Sequence, residues 1–195
     1  MAPLKIGLTG GIAAGKSEAL EAFARLGAAT LSSDEVVHEL LESQELRDRL
    51  AARWGAEVVP NGKIDRAKIG EVVFADPEQL AWLEQQIHPL VQARTAEWLH
   101  SLPAATEVAV VEVPLLFEAG MEAAFDATVA VVADEAVRHE RAGARGHASL
   151  DERTARQLPQ AEKAARATYA VENSGSLRDL QQELSGVLAK LSLRS

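Results

Sequence analysis

Residues 10–17 read Gly-Gly-Ile-Ala-Ala-Gly-Lys-Ser and match the pattern GxxxxGK[ST] of a phosphate-binding loop. The apolar run before them, residues 4–8, predicts a buried strand, and residues 17–26 predict a helix. Glycine allows positive φ, so several backbone N–H groups and the positive end of that helix can converge on one anion. The segment therefore predicts a nucleoside triphosphate site, whose phosphates contact Gly11, Ile12, Ala13, Ala14, Gly15, Lys16 and Ser17.

Two side chains of this loop have specific expected roles. Lys16 is expected to reach the β and γ phosphates, and the hydroxyl of Ser17 is expected to bind Mg²⁺. An ordinary glycine turn is the alternative, which the strand before the loop and the helix after it make less favourable.

The composition bounds the class of protein. With 195 residues, 47% hydrophobic and 25% charged, the chain can bury one core and is expected to form one domain with a small insertion. It has no run of about 20 apolar residues and no signal-peptide pattern, so we expect a cytoplasmic protein without a membrane partner. The net charge of −9 argues against a nucleic-acid partner. The absence of cysteine excludes disulfides and thiolate catalysis.

Apolar, β-branched runs alternate with helical patterns along the chain. The runs lie at residues 4–8, 28–31, 108–113, 128–132 and 168–171. Helices are predicted near residues 17–26, 35–53, 65–74, 77–101, 135–144, 150–166 and 176–191. This alternation predicts an α/β fold in which helices cover a parallel, five-stranded sheet.

The region between the second and third strands is too long for a simple crossover. We therefore expect residues 60–103 to form a helical insertion, with residues 1–59 and 104–195 as the nucleotide-binding core. A second feature is the basic segment from Arg138 to Arg166, which has seven cations and four acids. Beside a phosphate-binding loop it predicts an arginine-bearing lid at about residues 138–150, and a solvated charged helix is the alternative.

The type of phosphate-loop protein can be narrowed by exclusion. GTPases need DxxG and NKxD patterns, and neither occurs in the sequence. Motor and helicase ATPases need a strand that ends in Asp, whereas the third strand here ends in Glu112, Val113 and Pro114. What remains is a small kinase with a three-layer P-loop kinase fold, in which the insertion binds the acceptor and the lid supplies arginines.

Several further segments together resemble the dephospho-CoA kinase family. Residues 8–17 are similar to its usual opening LTGGIGSGKS, residues 87–91 (Ile-His-Pro-Leu-Val) to its acceptor-domain signature, and residues 113–118 to its VPLLFE segment. The resemblance covers residues 4 to about 184. Later matching residues follow in the family's order: Arg141, Arg145, Arg156, Gln157, Lys163, Asn173 and Gly175.

The resemblance implies an activity and its partners. Members of this family transfer the γ-phosphoryl group of ATP to the ribose 3′-hydroxyl of dephospho-CoA, giving coenzyme A and ADP in the last step of coenzyme A biosynthesis. ATP and Mg²⁺ are the implied cofactors and dephospho-CoA is the implied small-molecule partner. We expect a monomer or a weak homo-oligomer.

Asp34 is the candidate for the carboxylate near the attacking hydroxyl, because it directly follows the second strand. Residues 32–35 also fit a helix capping box, in which Asp34 only favours the helix dipole. The family usually has Asp-Ala-Asp here, whereas this chain has Ser32-Ser33-Asp34 and keeps only the second aspartate.

The remaining candidate residues each have an alternative structural reading. Arg141 and Arg145 are four residues apart, so one helix face could aim both at phosphate, or each could form surface ion pairs. Thr9 could lie near the transferring phosphate or pair within the sheet. Asn173 and Gly175 are expected to read adenine, although an Asn-Ser-Gly turn explains the same residues. The resemblance alone assigns acceptor binding to His88, Pro114 and Leu115.

The loop itself departs from the family's usual form, because Ala13-Ala14 replaces Gly-Ser and removes one flexible residue. Two other functions stay open from the sequence. One is a different small-molecule or nucleotide kinase. The other is a nucleotide-sensing protein that has lost catalysis, which the missing first aspartate leaves possible.

Overall fold

The computed structural model describes residues 2–144 and 157–193. The chain divides into two compact units, one made of residues 1–32 and 102–195 and the other of Ser33–Ser101. Residues 60–101 of the predicted insertion fall in the second unit. Within the described residues, no helix combines the length and apolar character needed to cross a membrane.

The first unit is built on one sheet of five strands. They are β1 (Leu4–Gly10), β2 (Ala29–Ser32), β3 (Val108–Glu112), β4 (Ala127–Val132) and β5 (Tyr169–Glu172). Their spatial order is β2-β3-β1-β4-β5 and every neighbouring pair is parallel, which confirms the predicted sheet. Because β1 is the central strand, the phosphate-binding loop that follows it lies at the middle of the carboxyl edge of the sheet. This fold binds its ligands at that edge.

Four helices of the first unit are described. They are α1 (Lys16–Arg25), α6 (Glu135–Ala144), α7 (Gln160–Arg166) and α8 (Leu177–Ser192). Ile6 and Leu8 of β1, Phe23 of α1 and Leu184 of α8 are completely buried in one core. Strands covered on both faces need apolar side chains on both faces, which is why β1, β3 and β4 read as continuous apolar runs.

Gly7 marks a close approach to the central strand. A Cβ atom at this position would lie 2.5 Å from Cδ1 of Leu116 and 2.8 Å from Cδ2 of Phe125. Glycine therefore lets the segment after β3 pack directly on β1. That segment carries Pro114, which contributes to the site described below.

The second unit is helical. It contains α2 (Ser33–Leu41), α3 (Gln44–Trp54), α4 (Arg66–Ala75) and α5 (Pro77–Ser101). The predicted bounds of α5 are confirmed, and this helix continues through Pro89. Trp54 and Trp82 meet edge to face, with ring centroids 5.2 Å apart, which is the packing role expected of large aromatic side chains.

The single helix predicted over residues 35–53 is wrong, because the chain forms two helices there. Ser43 lies between them and is the N-cap of α3. Its hydroxyl donates to the carbonyl oxygen of Leu40 at 2.7 Å and accepts from the backbone N–H of Leu46 at 3.3 Å. Because this side chain caps α3, a new helix begins after it. The apolar residues keep the same helical period on both sides of the interruption. The predicted helix over 150–166 is described only from residue 157, and α7 begins at Gln160.

Candidate nucleotide-binding site

The phosphate-binding loop has the local geometry that its glycines predict. β1 ends at Gly10 and α1 begins at Lys16. Gly15 precedes the helix with φ of 92°, a left-handed conformation that a side chain disfavours. A Cβ atom there would also overlap the amide nitrogen of Asn173. Both conditions require glycine at the last position before the helix.

Ala13 keeps a backbone conformation that normally belongs to glycine. Its φ is 58°, in the left-handed region. This is the position at which the sequence replaces the glycine of the usual LTGGIGSGKS pattern. Alanine in this conformation carries a local cost of about 1 to 2 kcal/mol.

Lys16 and Ser17 open helix α1. The ammonium group of Lys16 donates to the carbonyl oxygens of Gly11 at 3.1 Å and Gly10 at 3.4 Å, so it lies over the loop. Ser17 is exposed in the first turn of the helix. The charge of Lys16 and the N–H groups of the helix start thus occupy the place where an anion is bound in this type of loop.

Two arginines of α6 contact the phosphate-binding loop. Nε of Arg138 donates to the carbonyl oxygen of Ile12 at 2.9 Å. Nη1 of Arg141 donates to the carbonyl oxygens of Asn173 at 3.0 Å and Ala14 at 3.5 Å. Residues three apart share a helix face, which explains why both side chains meet the same loop. Arg145, the other predicted lid arginine, lies outside the described residues.

Arg138 was missed as a site residue by the sequence interpretation. Its sequence signal is the same three-residue spacing from Arg141, but that spacing is common on exposed helices. The identification needs the contact with Ile12, 126 positions earlier in the chain.

Asn173 is buried against the loop, with only 2% of its surface exposed. Its amide nitrogen donates to the carbonyl oxygen of Ala14 at 2.9 Å and to Oε2 of Glu18 at 3.0 Å. Its backbone N–H continues the strand contact by donating to Val132 at 2.8 Å. The side chain of Asn173, predicted to read adenine, thus supports the phosphate-binding loop. Gly175, two residues later, is exposed.

A buried polar cluster forms where β1 and the segment after β3 meet α7. The hydroxyl of Thr9 donates to the carbonyl oxygen of Pro114 at 3.3 Å. The ammonium group of Lys163 donates to the same oxygen at 2.6 Å and pairs with Oε1 of Glu118 at 2.9 Å. Lys163 is completely buried, so these two partners compensate the loss of water around its charge. Thr9 and Pro114 are brought together, and Leu115 follows half-buried.

Asp34 and His88 belong to the second unit. Asp34 is exposed in the first turn of α2, where a negative charge favours the helix dipole. His88 is exposed on α5, directly before Pro89. Their catalytic and acceptor-binding roles stay predictions.

Across residues 2–144 and 157–193, no group of three or more His, Asp or Glu side chains could hold a metal ion.

The sequence is similar to known proteins along nearly its whole length. The model of the dephospho-CoA kinase family matches residues 4–179. A dephospho-CoA kinase from Synechococcus is 37% identical over 94% of this chain and 95% of its own. One from Thermus thermophilus is 38% identical over 97% of this chain and 92% of its own.

Solved structures give the same result for the fold. A Thermus thermophilus crystal structure superposes with a TM-score of 0.82 at 37% identity, covering 98% of this chain and 99% of the other. A dephospho-CoA kinase from Campylobacter jejuni gives 0.70 at 28% identity, covering 96% of each chain. A shikimate kinase from Bacteroides thetaiotaomicron gives 0.54 at 18% identity, covering 95% of this chain and 98% of the other, which shows a shared kinase fold alone.

Proposed function

The chain belongs to the dephospho-CoA kinase family, and we propose that it uses ATP and Mg²⁺ to phosphorylate the ribose 3′-hydroxyl of dephospho-CoA. The observation that carries this proposal is the extent of the family match. It spans the phosphate-binding loop, the His-Pro segment of α5 and the segment after β3. A nucleotide-binding loop alone is shared by many kinases, whereas the His-Pro and VPLLFE segments in this order are much more specific.

The phosphates of ATP bind to the backbone N–H groups of the loop and to the start of α1. Lys16 exchanges its contacts with the carbonyl oxygens of Gly10 and Gly11 for charge-assisted bonds to the β and γ phosphates. These contacts hold the γ-phosphoryl group in place and stabilise the charge that develops during transfer.

Mg²⁺ fits this site through the nucleotide. Magnesium usually keeps several waters and binds substrate phosphates with only one or two protein oxygens. The hydroxyl of Ser17, exposed in the first turn of α1, is the protein ligand we propose. Bound there, the ion would neutralise phosphate charge.

Transfer proceeds by attack of the acceptor's 3′-hydroxyl oxygen on the γ-phosphorus. The bond between that phosphorus and the bridging oxygen breaks, ADP leaves, and the hydroxyl proton passes to the carboxylate of Asp34. Arg141 and Arg145 stabilise the transferring group. Dephospho-CoA contacts residues that the family resemblance assigns: Thr9, Asp34, His88, Pro114 and Leu115.

The site works in a protein that we propose to be cytoplasmic and a monomer or weak homo-oligomer. The net charge of −9 supports the absence of a nucleic-acid partner, because phosphate backbones favour basic surfaces. We also propose that the protein has no membrane partner.

The test is ADP release from ATP and Mg²⁺, with dephospho-CoA beside shikimate, nucleosides, mononucleotides and a reaction without acceptor. We expect turnover with dephospho-CoA alone and a product that mass spectrometry identifies as the 3′-phosphate. Turnover with another acceptor instead would assign a different kinase activity. ATP binding without turnover on any acceptor would favour a nucleotide-sensing role.

A further inference from the structure

We propose that Glu18 positions the phosphate-binding loop, acting through Asn173 and Arg141. The proposal rests on the proposed function only in that this loop binds a nucleotide. Glu18 lies in the first turn of α1, directly after Ser17. It is a positioning residue, because its contacts are to other side chains of the protein.

The carboxylate of Glu18 receives two side chains that hold the loop. Its Oε2 accepts from the amide nitrogen of Asn173 at 3.0 Å and lies 3.8 Å from Nη2 of Arg141. The same amide nitrogen holds the carbonyl oxygen of Ala14 at 2.9 Å, and Arg141 holds the carbonyl oxygen of Asn173 at 3.0 Å. Glu18, Asn173 and Arg141 are therefore one connected network on the loop.

This network converges on Gly15, the residue before the catalytic lysine. A Cβ atom at Gly15 would lie 2.7 Å from Oε2 of Glu18 and 3.3 Å from Nη1 of Arg141, and closer still to Asn173. The three polar groups thus pack against the backbone that turns toward the phosphates. Their positions determine whether the N–H groups of this turn are already aligned before ATP binds.

The negative charge of Glu18 has two opposing effects on a bound phosphate. Glu18 is an anion at the helix end where phosphate is bound, so on its own it would oppose the ligand. Arg141, with 23% of its side chain exposed, pairs with this carboxylate, which has 36% exposed. Asn173, which is almost fully buried, loses one of its two acceptors if the carboxylate is removed. Because bonds to charged acceptors are the stronger ones, we infer that loss of positioning outweighs relief of repulsion.

Binding of ADP to the full chain tests the proposal, measured by calorimetry for four proteins. Glu18→Met keeps the length of the side chain and removes the acceptor, and we expect its ADP Kd to rise about tenfold. Glu18→Gln keeps an oxygen for Asn173, and we expect its Kd to stay within about threefold of the parent. Glu21→Met is the matched control, on the same helix, where the exposed Glu21 pairs with Arg25 at 3.6 Å. We expect it to bind like the parent.

A double-mutant cycle tests whether Glu18 acts through Asn173. In the Asn173→Ala background, we expect Glu18→Met to weaken ADP binding by less than about twofold. An equal loss in both backgrounds would overturn the proposal. So would an ADP Kd for Glu18→Met equal to that of Glu21→Met, or tighter than that of the parent. If Glu18→Met melts below the assay temperature, Glu18→Gln is compared with Asn173→Ala instead, and equal losses of ADP affinity overturn the proposal.

Turnover separates this inference from the proposed function. We expect Glu18→Met to raise the KM for ATP and to leave the KM for the acceptor unchanged. A parent protein that binds ADP but does not phosphorylate dephospho-CoA would contradict the proposed function and leave the ADP comparisons valid. Full turnover by the parent together with unchanged ADP binding by Glu18→Met would contradict only the role of Glu18.

Discussion

The guanidinium group of Arg138 donates through Nε to the backbone carbonyl oxygen of Ile12 at 2.9 Å. This bond ties α6 to the middle of the phosphate-binding loop. Removing its donor should loosen the loop without removing any group expected to touch phosphate. We therefore expect Arg138→Ala to weaken ADP binding about five- to tenfold, which is the effect of one hydrogen bond.

Arg178→Ala is the control for this prediction, because Arg178 is exposed at the start of α8. Calorimetric titration with ADP measures both variants. Equal ADP affinities for the two would show that the bond between Arg138 and Ile12 does not support nucleotide binding.

Lys16→Ala should abolish turnover while the fold survives. The ammonium group is expected to bind the β and γ phosphates, and loss of such a group lowers kcat at least about 100-fold. Steady-state ADP release checks the rate, and thermal melting checks the fold. Lys190→Ala, at an exposed position of α8, is expected to keep parental activity. Parental turnover by Lys16→Ala would contradict the assignment of the site.

Arg141→Ala should lower kcat more than it raises the KM for the acceptor. An arginine that acts mainly on the transferring phosphoryl group stabilises the transition state rather than the bound acceptor. We expect kcat to fall about 10- to 100-fold, with the acceptor KM within about threefold. The same split is predicted for Arg145→Ala. An unchanged kcat with a raised KM would instead make these arginines binding residues.

Ala13→Gly should stabilise the protein. Alanine at φ of 58° costs about 1 to 2 kcal/mol, and glycine removes this strain. Glycine also increases the conformational entropy of the unfolded chain, which offsets part of the gain and leaves about 0.5 to 1 kcal/mol. Ala14→Gly is the control next to it. Ala14 is fully buried and has no positive φ, so the same change there should lower the free energy of unfolding. Urea unfolding of both variants tests the opposite signs, and a loss of stability in Ala13→Gly would contradict the prediction.

The stability of the first unit should depend on the charge of Asp179 in acid. The hydroxyl and backbone N–H of Ser176 hold the pKa of the Asp179 carboxyl below its ordinary value. A lowered pKa in the folded state stabilises the protein above the unfolded pKa, about 4, and this contribution is lost as pH falls through the folded value. Asp179→Asn should therefore be less stable than the parent at pH 7, and the difference should shrink below about pH 4. Urea unfolding across this range measures it, and a constant difference would exclude the charge as the cause.

The sequence predicted the sheet closely because its central strands are covered on both faces. Residues 4–8 and 128–132 are continuous apolar runs, and such runs leave little choice of structure. The interruption at Ser43 was missed because apolar residues keep the helical period on both sides of it. Its cap depends on one side chain that accepts from Leu46, a signal that is weaker than the periodicity.

Candidate site residues could be identified from the sequence only where they belong to a local motif. The phosphate-binding loop and Lys16 belong to one short segment, so their pattern was sufficient to predict a loop between β1 and α1. Arg138 and Glu18 were missed because their contacts depend on how distant segments pack. The same holds for Lys163, whose burial beside Pro114 cannot be predicted from a lysine in a charged helix.

The side chains that hold the phosphate-binding loop are synthesised long after the loop itself. The loop is synthesised before these side chains, because Arg138 follows Ile12 by 126 positions and Asn173 follows Ala14 by 159. Contacts between such distant positions form late, because much of the chain must first be ordered. A nascent chain that stops before Arg138 therefore carries the complete nucleotide motif without the groups that hold it in shape. We therefore expect the affinity of this loop for a nucleotide to rise only after Asn173 has been synthesised.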